Sequence, residues 1–214
     1  MKKIILLLTL CFSIIHLHAQ SDKKNMIGTH VSIGMGGYGP TRMKGAPSYH
    51  TKYYYAIGLD YSRQLSKRWD LCSGYEYTYT EMTVSLLAPP TPISSSLEEF
   101  SVKANLSMST IPVQLKYHFG KLVYLNGGLL LNVVAKEKIK GIWTNEDFKA
   151  NIALLLGIGL GIGFEHEFKS GILLSLNPYA RLNGIGKAIS LQSEAAEQYI
   201  YFQGGVSFGV GYKF

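Results

Sequence analysis

The sequence predicts an all-β fold, an eight-stranded antiparallel up-and-down transmembrane β-barrel, and three observations predict it. Apolar residues recur at every second position in eight separate segments, the period of a strand whose two sides meet different surroundings. The alternate positions hold glycine, serine and asparagine rather than charge: only 16% of the 214 residues are charged against 47% hydrophobic, where soluble domains carry roughly 25% charge. Finally, tight and long connections alternate along the chain, as they do in a barrel that crosses a membrane. Twenty-three glycines and fifteen tyrosines with no Gly-X-Y period exclude collagen-like and low-complexity chains. One domain suits the length.

The first 19 residues read as a secretory signal peptide. Met1 to Lys3 is basic, Ile4 to Ile15 is apolar except for Thr9 and Ser13, and Leu17-His18-Ala19 ends on a small residue, so cleavage is expected near Ala19 or Gln20. The run is too short for a spanning helix. Cys11 follows Leu10 in mid-run, which argues against a lipoprotein site. Residues 20–214 then form the barrel domain. Without Lys2 and Lys3 its 19 basic residues exceed 14 acidic ones by five, and no basic cluster points to nucleic acid. Its single cysteine, Cys72, has no disulfide partner and reads as a packing residue.

The strands follow in order, each with an apolar and a small or polar side. In the first, Val31, Ile33 and Met35 oppose His30, Ser32, Gly34 and Gly36. The second sets Tyr53, Tyr55, Ile57, Leu59 and Tyr61 against Tyr54, Ala56, Gly58, Asp60 and Ser62. The third sets Leu71, Tyr75, Tyr77 and Tyr79 against Cys72, Gly74, Glu76, Thr78 and Thr80. In the fourth, Ile111, Val113, Leu115, Tyr117 and Phe119 alternate with Pro112, Gln114, Lys116 and His118. The fifth places Val123, Leu125, Leu129, Leu131 and Val133 opposite Tyr124, Asn126, Gly128, Leu130 and Asn132. In the sixth, Ile152 to Phe164 alternates with glycines 157, 159, 161 and 163 and is followed by Glu165; four glycines would cost a helix roughly 1 kcal/mol each. The seventh opposes Ile172, Leu174, Leu176, Ala180 and Leu182 to Ser175, Asn177, Tyr179, Arg181 and Asn183. The eighth opposes Ile200, Phe202, Val206, Phe208, Val210, Tyr212 and Phe214 to Tyr201, Gln203, Gly205, Ser207, Gly209, Gly211 and Lys213.

Tight turns are expected at 66–68, 120–121 and 169–170, and long loops at 38–52, 86–100, 135–149 and 187–198. A soluble barrel of lipocalin type shares this layout. Its second face would meet water and carry charge, whereas here that face is glycine-rich, which suits a crowded interior. Aromatics near both strand ends, Tyr53 and Tyr55 at one and Tyr117, Phe119, Tyr212 and Phe214 at the other, suit two interfacial girdles.

Three segments carry a resemblance to a known family. Residues 109–119, Ser-Thr-Ile-Pro-Val-Gln-Leu-Lys-Tyr-His-Phe, are similar to a fourth-strand pattern of apolar-Pro-apolar-x-apolar-Lys-Tyr. Tyr124-Leu125-Asn126-Gly127-Gly128 resembles a glycine-bearing fifth strand, and residues 206–214 resemble a terminal assembly signal. On these segments the chain resembles the outer-membrane β-barrel domain proteins abundant in Bacteroidota, often labelled porin-family. The resemblance implies outer-membrane insertion through the barrel-assembly machinery, which would read Phe208, Val210, Tyr212 and Phe214. It implies no substrate.

Seven residues fall on the interior parity: Asp60, Glu76, Lys116, His118, Glu165, Arg181 and Lys213. Each is costly there unless paired or hydrated, so an ion-paired network plugging the lumen is expected, with Glu76 and Arg181 as candidate partners. Eight strands leave a bore that side chains just fill. Recognisable chemistry is lacking. The glycines of the sixth strand keep period two and precede no Gly-Lys-Ser/Thr. His30, His50, His118 and His166 lack metal-ligand spacing and local partners, and Ser48 and His50, in the first long loop, have no identifiable acid. No catalytic, cofactor or metal residue is therefore assigned. Arg42, Lys44 and Trp143 in long loops are candidate contacts to lipopolysaccharide or a surface partner. The function expected is a monomeric, non-enzymatic outer-membrane barrel with a structural or surface-interaction role. A narrow porin-like channel and a lipid A-modifying barrel enzyme stand as alternatives.

Overall fold

The computed structural model describes residues 24–38, 48–87, 99–136, 152–184, 189–190 and 200–214. The signal segment, Arg42, Lys44 and Trp143 lie outside them. Eight long strands are present: β1 (Asn25–Tyr38), β2 (Ser48–Gln64), β3 (Trp69–Leu87), β4 (Glu99–His118), β5 (Val123–Lys136), β6 (Ile152–Glu167), β7 (Ile172–Asn183) and β9 (Tyr201–Lys213). A two-residue strand, β8 (Ile189–Ser190), pairs with β6 at Leu154 and Ala153. It falls where the sequence predicts only a loop.

Each long strand pairs antiparallel with its neighbour in the chain, and β9 returns to β1, so the sheet closes. The closure has a defined stagger. From Met26 the register runs through Ser62, Cys72, Gln114, Gly128, Gly159, Arg181 and Gln203, and returns to β1 at Gly36, ten residues further along. With ordinary strand spacing and rise this stagger tilts the strands by roughly 40°. At that tilt about 9–11 residues cross a bilayer core. All eight long strands exceed this, and β3 and β4, at 19 and 20 residues, extend furthest.

That extension corrects the expected loop bounds. Ser48, His50 and Lys52 belong to β2, Leu86 to β3, Phe100 to β4 and Ala135 to β5. Thr and Val between 78 and 87 sustain the backbone ladder after the apolar alternation lapses, so a reading by alternation stops too early. A β-bulge between Thr51 and Tyr54 shifts the register of β2 against β3, and no sequence pattern announces it.

Sidedness follows the predicted parity. Val31, Ile57, Leu115, Leu129, Leu160 and Val210 face outward and are exposed, an apolar band of the kind that lipid or a partner protein covers. Trp69, Tyr117 and Phe119 pack in a row near the tight turns, Trp69 tilted against Tyr117 and Tyr117 edge-on to Phe119, with ring centroids 4.8 and 5.0 Å apart. Tyr53 and Tyr55 are exposed toward the other end. The inner face is less uniformly small than expected: Leu106, Met108, Val134 and Leu155 form a buried apolar cluster on β4, β5 and β6, near the long connections.

Candidate functional site

The barrel interior holds the chemistry-bearing side chains, and the closed register explains how it brings them together. In the strand order β3 and β7 stand four strands apart whichever way round the barrel is followed. Glu76 on β3 and Arg181 on β7 therefore face each other across the full bore. Arg181 donates through both terminal nitrogens: Nη1 to Glu76 Oε1, and Nη2 to Oε2 at 3.0 Å. This bidentate fork is the strong form of the carboxylate–guanidinium pair. Glu76 is 1% exposed and also accepts from Thr78 Oγ1 at 3.3 Å. The guanidinium lies 4.2 Å over the Tyr179 ring, a cation–π contact.

His30 on β1 completes the group. Its Nδ1 is 2.7 Å from Asp60 Oδ2 and its Nε2 is 2.9 Å from Glu76 Oε2. Ionised carboxylates only accept, so the ring satisfies both sides only by donating from both nitrogens. Gly58 makes room for this ring, since a Cβ at that position would overlap the imidazole. Sequence reading found no partner for His30 because its partners are 30 and 46 residues away. Period-two parity places all three residues inward, and that is the only signal the sequence carries.

Toward the tight turns, Lys116 donates to Glu165 Oε2 at 2.7 Å and lies 4.4 Å over the Tyr124 ring. His118 bonds through Nε2 to Asp70 Oδ2 at 2.8 Å, and Lys213 donates to Glu167 Oε2 at 3.1 Å. Asp70 and Glu167 complete pairs whose other members carry the predicted interior parity. All seven interior residues named from the sequence thus find partners across the bore or along its wall.

Toward the long connections there are bonds between neutral groups. Tyr54 donates to the Tyr179 hydroxyl at 2.8 Å across three strand steps. Thr110 donates to Asn132, Asn132 to Asn183 and Asn183 to Gln203, at 2.8, 2.9 and 2.9 Å. Of the apolar cluster, Leu106, Met108 and Val134 lie beyond Thr110 and Asn132 on the same strands, and Leu155 on β6 is in register with Asn132. Buried polar groups bonded in this way resist rearrangement.

Other candidates occupy plain positions. His166 is exposed and packs edge-on against Phe168, centroids 4.8 Å apart. Cys72 is an unpaired thiol on the inward side of β3. Ser48 and His50 are strand positions in register with Ser85 and Thr83. Among the described residues no three His, Cys, Asp or Glu side chains gather as metal ligands. Phe208, Val210 and Tyr212 line the outward side of β9, and Phe214 exchanges backbone hydrogen bonds with Asn25 at 2.8 and 3.0 Å.

No protein-family model and no curated protein matches the chain. Among solved structures it is similar to Ail, the attachment invasion locus protein of Yersinia pestis, solved in complex with the heparin analogue sucrose octasulfate: 12% identity over 89% of this chain and 98% of that one, TM-score 0.48. It is similar to the outer membrane protein OprG from Pseudomonas aeruginosa, at 13% identity over 89% and 96%, TM-score 0.48. A third is Neisserial surface protein A, at 14% identity over 89% and 97%, TM-score 0.46. The fold itself rests on the strand register: this chain is a closed, eight-stranded, antiparallel up-and-down β-barrel with an apolar exterior and a hydrogen-bonded polar interior.

Proposed function

We propose that the chain is a monomeric integral outer-membrane barrel of the Bacteroidota porin-family type, exported by the 1–19 signal peptide and inserted by the barrel-assembly machinery. Its role is structural or a surface interaction, carried by the long connections on the cell exterior, with the tight turns toward the periplasm. It is neither a channel nor an enzyme. One observation carries this reading: the Glu76–Arg181 pair spans the bore, with the Tyr54–Tyr179 bond and the Leu106–Leu155 cluster also inside the barrel. A side-chain-filled eight-stranded barrel leaves its connecting segments as the surface available to partners. Arg42, Lys44 and Trp143 are the proposed contacts there, to lipopolysaccharide phosphates or to a surface partner.

Planar-bilayer recording of the purified mature protein tests it. We expect no stable single-channel steps. Reproducible steps would favour the narrow channel, and a change in lipid A mass between cells with and without the protein would favour the barrel enzyme.

A further inference from the structure

The tight-turn end of the barrel carries a concentration of cations that the interior network does not use. The three turns, 65–68, 119–122 and 168–171, contain Lys67 and Arg68, Lys121, and Lys169, and no acidic residue. Lys24 lies beside them, immediately before β1. Lys24, Lys67, Lys121 and Lys169 all line one cavity of about 670 Å³ at this mouth. The acids in its wall are already engaged: Asp70 with His118, Glu165 with Lys116 and Glu167 with Lys213. No ion pair among the described residues involves the four mouth lysines.

Leu65 and Phe119 are exposed apolar turn residues outside this cavity that suit the membrane boundary, whereas Leu122 and Phe168 line it together with the lysines. Four like charges around one concavity create a focused positive potential. The same wall offers Ser62 and Gln64 as hydrogen-bonding groups and Met26 and Leu173 as apolar surface.

We propose that this mouth is a docking site for an acidic peptide segment, whose carboxylates pair with Lys24, Lys67, Lys121 and Lys169. That the peptide is periplasmic rests on the orientation proposed above; the binding chemistry does not. A peptide suits the site because the four lysines share one cavity whose wall also offers hydrogen-bonding groups, Ser62 and Gln64, and apolar side chains, Met26, Leu122, Phe168 and Leu173.

The test uses the full mature barrel in neutral-detergent micelles and a fluorescein-labelled hexaglutamate peptide, with a hexaglutamine peptide as control. We expect saturable binding of hexaglutamate only, weakening as salt rises, and about tenfold weaker in the quadruple variant Lys24→Gln, Lys67→Gln, Lys121→Gln, Lys169→Gln. The corresponding Lys→Arg quadruple should bind as the parent does. Heat-modifiable gel mobility verifies that each variant is a folded barrel. Absent binding, or binding equal in the Gln variant, overturns the proposal. So does a Gln variant that loses association only with vesicles containing phosphatidylglycerol, because the lysines then serve headgroups. Orientation is scored separately: Lys121→Cys labelled by an impermeant maleimide on intact cells refutes the periplasmic placement and leaves the binding result standing.

Discussion

Arg181 and Glu76 sit on strands that face each other across the barrel, and one guanidinium–carboxylate fork joins them through the lumen. Both side chains are nearly inaccessible to solvent. A buried pair of this kind contributes little beyond a well-packed apolar replacement, but losing one member strands a charge. We expect Glu76→Ala to destabilise the barrel by about 3 kcal/mol, read as a lower midpoint of heat-modifiable mobility. The double variant Glu76→Leu, Arg181→Met should recover most of that loss. An unshifted midpoint for Glu76→Ala would mean that the pair is dispensable.

Leu160 is 64% exposed in mid-strand on the outward side of β6. In a soluble barrel, arginine there would be neutral. Facing lipid, Leu160→Arg should cost roughly 2–4 kcal/mol, as charges do near a bilayer midplane. Refolding yield into lipid vesicles measures it, and parental yield and stability would sink the lipid-facing assignment.

Gly163 faces inward against Tyr124, and a Cβ at this position would run into the phenol ring. Gly163→Ala should therefore destabilise by about 1–3 kcal/mol, the range for overpacking a filled interior. Combining it with Tyr124→Ala should make the alanine harmless, so the two effects should be non-additive in a double-mutant cycle of urea-unfolding midpoints. Additive losses would show that Gly163 serves something other than room for the ring.

Phe214 closes the seam between the first and last strands by its backbone exchange with Asn25, and its side chain is exposed at the tight-turn end. Deleting it should lower the assembled, heat-modifiable fraction in the membrane several-fold. Normal levels of folded truncated protein would remove Phe214 from the assembly signal.

Local patterning made the strand sides legible. Glycines 157, 159, 161 and 163 against Leu156, Ile158, Leu160 and Ile162 state both faces of β6 without reference to any other segment, because strand geometry turns alternate residues to opposite sides. The same parity sent Glu76, His30 and Arg181 inward. Connection bounds were less legible: Ser48, His50 and Phe100 lie in strands because backbone pairing outlasts the apolar pattern. Leu155 and Met108 escaped notice as interior residues since an apolar side chain on the inner face breaks the alternation that exposes it.

What the sequence by itself determined is therefore the period, the two faces, the number of long strands and seven of the interior charges, but not Asp70 or Glu167, which pair with two of them. Which charges meet was decided only by closure of the sheet. The ten-residue stagger and the strand count set which residues share a level across the bore, and this places Arg181 opposite Glu76, with His30 between Glu76 and Asp60. That choice is not written in any local stretch of chain, because it depends on every register around the barrel at once.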